Sequence, residues 1–228
     1  MGSEMCIRDR TWDWSYTPGQ SYFAETVTIT GLDSEGGTSQ TTFAVSAIDL
    51  SVNGAQVQRS TVDRVVLTFD GSVEIDSGAF SVIQRSDANG TATSTPVAVN
   101  FTCSKDGDTT VTLEFDSLTR NGSGVLEDGN YELTVDGTKI RQAGTDVTLG
   151  AEFVYGDSID ESFFALYGDS NGDRLVNVVD LLDFRRTFLA STVDTNYNSS
   201  FDYNGDGIIN VVDLLQFRNN FLHTLDFV

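Results

Sequence analysis

At 228 residues and 24.8 kDa, the chain is long enough for one large domain or two to three small ones with buried cores. Its 34 acidic and 13 basic side chains give a formal charge of −21, a field that repels phosphate backbones and excludes nucleic acid as an expected partner. The lone histidine, His223, excludes a His-based triad or a multi-histidine zinc site, and no apolar run approaches the roughly 18 residues of a membrane span. Aspartate outnumbers glutamate 25 to 9 and glycine reaches 21, a balance that suits turns and oxygen-ligand loops.

Residues 1–10 lack the apolar stretch of a signal peptide and resemble a translated adapter sequence; they are set aside, and Cys6 with them. Residues 11–50 read as a hairpin, with Thr26–Thr30 and Thr42–Ser46 alternating around a Gly-rich turn at Asp33–Gly37. Two or three strands do not make a stable sandwich, so this stretch is expected to be the remnant of a preceding β module, and it resembles the end of an Ig-like or PKD-like one. Trp12 and Trp14 would share one strand face, at a core or edge position of that module.

Residues 51–157 carry strand signals at sandwich spacing: Val62–Phe69, Phe80–Gln84, Val97–Thr102, Thr110–Phe115, Tyr131–Val135 and Glu152–Tyr155. Val111, Leu113 and Phe115 alternate with Thr112 and Glu114, so one face points inward and the other to water. Cys103 is expected as a small core residue. Glu74, Glu114 and Asp116 are explained by a solvated sheet face rather than by a glycosidase carboxylate pair. Tyr131 follows a Gly turn at the start of a strand, the position of a tyrosine corner, whose hydroxyl bonds back to upstream backbone. With the ending Ile140–Gly144, the stretch resembles a bacterial Ig-like extracellular module.

The last 60 or so residues contain an internal repeat. Asp169-Ser-Asn-Gly-Asp-Arg-Leu-Val-Asn-Val-Val-Asp180 returns 33 residues later as Asp202-Tyr-Asn-Gly-Asp-Gly-Ile-Ile-Asn-Val-Val-Asp213, and both run on through Leu-Leu-x-Phe-Arg-x-x-Phe-Leu. The spacing is that of an EF-hand calcium loop, with oxygen ligands at positions 1, 3, 5, 7, 9 and 12. The first loop offers Asp169, Asn171, Asp173, the Leu175 carbonyl, Asn177 and Asp180; the second offers Asp202, Asn204, Asp206, the Ile208 carbonyl, Asn210 and Asp213. A hard cation taking six to eight oxygens fits this set, and magnesium, which demands octahedral geometry and keeps its waters, fits it less well. Two calcium ions are therefore expected. Arg174 stands at position six of the first loop, where a sharp turn favours glycine and Gly207 meets the need in the second; the reading is a weaker first site.

Each loop leads into an amphipathic segment, Val178–Leu189 and Val211–Leu222, with Leu181, Leu182, Phe184, Phe188 and Leu189 on helical spacing and Asp183, Arg185 and Arg186 outward. The polar stretch Ser191–Ser200 cannot supply the entering helix of a complete EF-hand. Loop then exiting helix, twice, over residues 163–228, resembles the dockerin domain. The resemblance implies calcium-dependent folding and docking onto a cohesin-like module of a scaffold or cell surface. Carried over by position, the partner-binding residues would be Val178, Val179, Arg185 and Arg186 in the first repeat and Val211, Val212, Arg218 and Asn219 in the second, with two orientations of binding related by about 180°. Phe163, Phe164 and Tyr167 are expected to clasp Leu225 and Phe227 and so join the unit's two ends.

The expected fold class is mainly β, an Ig-like sandwich followed by a small all-α, two-repeat dockerin. The expected function is non-catalytic: an extracellular or cell-surface fragment that anchors or assembles its parent on a cohesin-type scaffold. Two alternatives stand beside it. The chain could be the C-terminal portion of a secreted glycoside hydrolase whose catalytic domain lies upstream, with polysaccharide association through that parent, or a calcium-rigidified structural adhesin with no cohesin.

Overall fold

The computed structural model describes residues 25–32, 38–45 and 48–228, apart from 70, 117–119, 121–123 and 151. The leader, Trp12 and Trp14, and the turn expected at 33–37 lie outside the described residues. Strands β1 (Glu25–Leu32) and β2 (Thr38–Val45) pair antiparallel along their whole length, as the alternation of Thr and apolar residues predicts.

Two larger antiparallel sheets follow. One holds β3 (Asp49–Val52), β4 (Arg64–Thr68), β9 (Thr110–Phe115) and β8 (Phe101–Asp106), in the order β3-β4-β9-β8. The other holds β12 (Glu152–Tyr155), β10 (Gly129–Asp136), β6 (Phe80–Ser86) and β7 (Ala92–Val99), in the order β12-β10-β6-β7. A short pair, β5 (Val73–Ile75) with β11 (Ile140–Gln142), lies beside them. The period-two burial along β4, β6, β9 and β10 sends Val65, Leu67, Val82, Val111, Leu113, Leu133 and Val135 into one shared hydrophobic cluster. Tyr131 also lies in this cluster, fully buried, and its hydroxyl donates to the Glu127 carbonyl at 2.7 Å, so the expected tyrosine corner is present.

Two sequence expectations need correction here. The stretch Val97–Thr102 is not one strand: β7 ends at Val99 and β8 begins at Phe101, so the chain leaves one sheet and enters the other across Asn100. As a result Cys103 falls on the edge strand β8 and is exposed instead of buried. Glu74 and Glu114 do lie outside the core, and Glu74 is engaged by Arg141.

A two-residue strand, β13 (Phe164–Ala165), pairs with Asn130 and Gly129 at the head of β10 and carries the chain out of the β region. Strand alternation divides this segment between two cores. Phe163 joins the β core, with ring centroids 5.7 Å from Tyr131 and 6.3 Å from Phe115, and Ala165 packs there too. Phe164, Leu166 and Tyr167 belong to a second cluster, with Val176, Phe184, Phe201, Ile209, Phe217 and Leu225. The expected clasp thus forms in part. Phe164, Tyr167 and Leu225 share that core, whereas Phe163 belongs to the β side and Phe227 sits 5.5 Å from the guanidinium carbons of Arg85 and Arg174.

Helices α1 (Val178–Thr187) and α2 (Val211–Asn220) complete the second core. Phe184 and Phe217, equivalent by the repeat, meet at its centre with centroids 5.0 Å apart, and Phe201 stands edge-on to both. Of the apolar positions expected to face inward on the first helix, Phe184 is buried and Leu181 and Phe188 are partly so, but Leu182 and Leu189 are exposed. A ten-residue helix packed mainly along one line of phenylalanines buries a narrow stripe, and Leu182 falls outside it.

Candidate calcium loops and docking face

Both twelve-residue loops fold by the same local chemistry. Asn177 caps α1, accepting from the Val179 amide at 2.7 Å, and Asp180 reaches back to the Asn177 amide at 2.9 Å. Asn210 and Asp213 repeat the arrangement at the start of α2, at 2.8 and 2.7 Å. Loop positions 9 and 12 therefore fix the helix entry as well as presenting oxygen. Within the loops, Asp173 Oδ1 accepts from the Leu175 amide and Asp206 Oδ1 from the Ile208 amide, both at 2.9 Å. Asp169 Oδ2 accepts from the Arg174 amide at 2.9 Å and Asp202 Oδ2 from the Gly207 amide at 2.8 Å. Successive side-chain oxygens thus gather each loop about its first aspartate.

The electrostatics of this arrangement favour a cation. Asp169, Asp180 and Asp213 are fully buried and Asp202 nearly so. Among the described residues no Lys or Arg forms a salt bridge with any of the six loop aspartates. Burial, opposed by amide hydrogen bonds and reinforced by the negative charges of Asp173 and Asp180, pushes the Asp169 carboxyl up to about 6. Burial raises that of Asp213 as well. A carboxylate desolvated in this way costs free energy unless a positive charge compensates it. The described residues contain no group of three His, Cys, Asp or Glu side chains that closes into a metal cluster unaided. The ligand set read from the sequence draws on asparagines and a main-chain carbonyl for half of its oxygens, and an all-oxygen set of this kind fits calcium.

The two loops differ in their surroundings. The β region abuts the first loop: the Arg59 amide donates to the Asp169 carbonyl at 2.9 Å, and a Cβ placed on Gly172 would overlap the Val57 carbonyl. Arg174, with φ at +67°, holds a left-handed conformation that costs a non-glycine residue about 1–2 kcal/mol. Its guanidinium reaches Asn130 Oδ1 at 2.6 Å and lies 4.1 Å from the Phe164 ring centroid. Burial lowers its pKa to about 10, so it stays charged at neutral pH. In the second loop, nothing lies within reach of a Cβ on Gly205, and Gly207 meets only Thr192 of its own unit.

More contacts join the two regions. Ser60, fully buried, donates to the Ser200 carbonyl at 2.5 Å and accepts from the Gly168 amide at 2.9 Å. Arg120 pairs with Asp128 at 2.9 Å and lies over the rings of Tyr167 and Tyr203. Asp128 also accepts from the Tyr167 amide and from Asn220. Apart from Tyr167, expected in the clasp, these residues are not singled out by the sequence, because isolated polar side chains in turns carry no periodicity.

The expected partner-binding residues fall where the repeat places them. Val178, Val179, Arg185, Arg186, Val211, Val212, Arg218 and Asn219 are all exposed. The valines form matched pairs, Val178 and Val211 each 59% exposed and Val179 and Val212 49% and 43%, and Leu182 and Leu215, which are not among the expected contacts, are exposed beside them at 48% and 52%.

Residues 167–222 match the family model of the dockerin type I domain, which is less than half of the chain. No curated protein matches. Two solved structures, an N-terminal and a C-terminal interface mutant of a type II Cohesin-X-Dockerin complex from Acetivibrio cellulolyticus, are each 17% identical, covering 68% of this chain and 97% of theirs. Their TM-scores of 0.26 and 0.25 are too low to bear on fold or partner. The family match covers the loop–helix repeat: it spans the full twelve positions of both loops and both helices, and ends two residues beyond α2.

Proposed function

We propose that the chain acts in non-catalytic docking at an extracellular or cell-surface location, and that its loop–helix unit of residues 163–228 binds a cohesin-like module once two calcium ions are in place. The observation that carries this reading is the pairing, in each repeat, of buried aspartates that form no salt bridge and an exposed apolar helix start. Asp169, Asn171, Asp173, Leu175, Asn177 and Asp180 would hold one ion, and Asp202, Asn204, Asp206, Ile208, Asn210 and Asp213 the other. Calcium would supply the positive charge that the buried carboxylates lack. The caps at Asn177 and Asn210 couple loop shape to helix start, so a loop drawn together by metal also orients Val178, Val179, Val211 and Val212. The region from β3 to β12 would serve as an Ig-like support.

The exposed residues that continue the valine pairs, Leu182 and Leu215, make the face more apolar than the arginines beside them indicate, so the matching partner surface is an apolar patch with acidic or polar rim groups for Arg185, Arg186 and Arg218. The similar exposure of both copies leaves each repeat free to dock, which supports two binding orientations. The test is binding of the full chain to a panel of purified cohesins, with calcium and with chelator. Calcium-dependent binding that is lost when Val178 and Val211 are both changed to Asp supports the reading. Calcium uptake with no cohesin bound would favour a calcium-rigidified structural protein instead.

A further inference from the structure

We infer that Arg174 is a positioning residue through which the β region holds the first calcium loop in its binding conformation, so that the first site depends on the neighbouring region and the second does not. The inference rests on the calcium reading above. In the sequence, arginine at loop position six is a defect, since the turn there favours glycine. The structure gives it an employment. Its guanidinium spans from the loop to Asn130 on β10, lies against Phe164, and approaches Phe227 near the chain's end. Asn130 is itself fixed: it is 1% exposed, and its amide group donates to Ser86 Oγ at 2.7 Å and to the Asp226 carbonyl at 2.8 Å.

Two further contacts restrain the same loop from the β region. The Arg59 amide donates to the Asp169 carbonyl at 2.9 Å, and Gly172 fits against Val57. Together with the Arg174 side chain, these contacts engage loop positions one, four and six through main-chain atoms and the position-six side chain, and make no hydrogen bond to the side chains at the expected ligand positions. A loop restrained before the ion arrives loses less conformational freedom on binding it, so the first site gains affinity from the β region. The second loop keeps the equivalent of the bond that Leu225 makes to the Arg174 carbonyl, from the Thr192 amide to the Gly207 carbonyl at 3.0 Å, but it has Gly207 at position six and open space around Gly205, and lacks the contacts from the β region.

The test separates the two readings by sign. Arg174→Gly installs the residue that the turn prefers and removes the tether. If position six matters only for backbone conformation, the first site tightens or stays unchanged. If the tether positions the loop, the first site weakens by about tenfold, the loss expected for one charge-assisted hydrogen bond. Calcium calorimetry on the full chain reads both sites, with Asp206→Ala used to assign the second. We expect Arg174→Gly to weaken the first site and leave the second within about twofold, which also certifies that the variant is folded. An unchanged or tighter first site would overturn the inference while leaving the calcium reading intact. Absence of calcium binding by the unmutated chain would overturn both.

Discussion

The two twelve-residue loops differ at four of their twelve positions, and they stand in unlike surroundings. In the first, positions two, six, seven and eight are Ser170, Arg174, Leu175 and Val176; in the second they are Tyr203, Gly207, Ile208 and Ile209. Ligands and caps are the same, and the hydrogen bonds that shape each loop agree within 0.2 Å where both copies have them: 2.9 and 2.8 Å at Asp169 and Asp202, and 2.9 and 2.7 Å at Asp180 and Asp213. The first loop leans on Arg59, Val57 and Asn130 of the β region, whereas the second draws an extra hydrogen bond from within its own unit, from the Tyr197 hydroxyl to Asp202 Oδ2 at 2.7 Å. The comparison separates what a repeat encodes, its ligand spacing and helix entry, from what its neighbours encode, its restraint.

This contrast can be broken at the core. Phe184 and Phe217 are each 1% exposed and pack on one another, so the symmetric part of the unit predicts equal penalties. Phe184→Ala and Phe217→Ala are each expected to cost about 3–5 kcal/mol in denaturant unfolding of the calcium-loaded chain. A difference of several kcal/mol between them would show that asymmetry reaches beyond the loops. The contrast can be sharpened at the junction. Ser60→Ala strips a fully buried hydroxyl from the Ser200 carbonyl and the Gly168 amide, and it is expected to cost about 1–3 kcal/mol. A loss of stability below about 0.5 kcal/mol in the same assay would mean that the two regions are not energetically joined there.

Much of this organisation was legible in the residues. Thr110–Phe115 and Glu152–Tyr155 appear with the bounds their alternation predicts, and Tyr131 makes the expected corner bond. The helices start where Asn177 and Asn210 cap them, because local capping chemistry is written in adjacent residues. The break at Asn100, and with it the exposure of Cys103, was not legible, since a chain crossing between sheets keeps its apolar alternation on both sides. Strands β3, β5 and β11 were missed for being short. Arg174 was visible as a departure from glycine, but its use depends on Asn130, 44 residues away, a contact that spacing cannot reveal. The same holds for Leu182 and Leu189, whose exposure is decided by how narrow a stripe the phenylalanines occupy.

The central claim is that buried loop carboxylates await a dication that completes the unit. It is tested most directly by stripping the full chain with chelator and titrating calcium back by calorimetry, with helix content followed in parallel by circular dichroism. The account predicts two binding events and a rise in thermal stability with added calcium, about 4 kcal/mol per site at a thousandfold excess over Kd. A flat titration, with helix content and melting temperature indifferent to calcium, would contradict it.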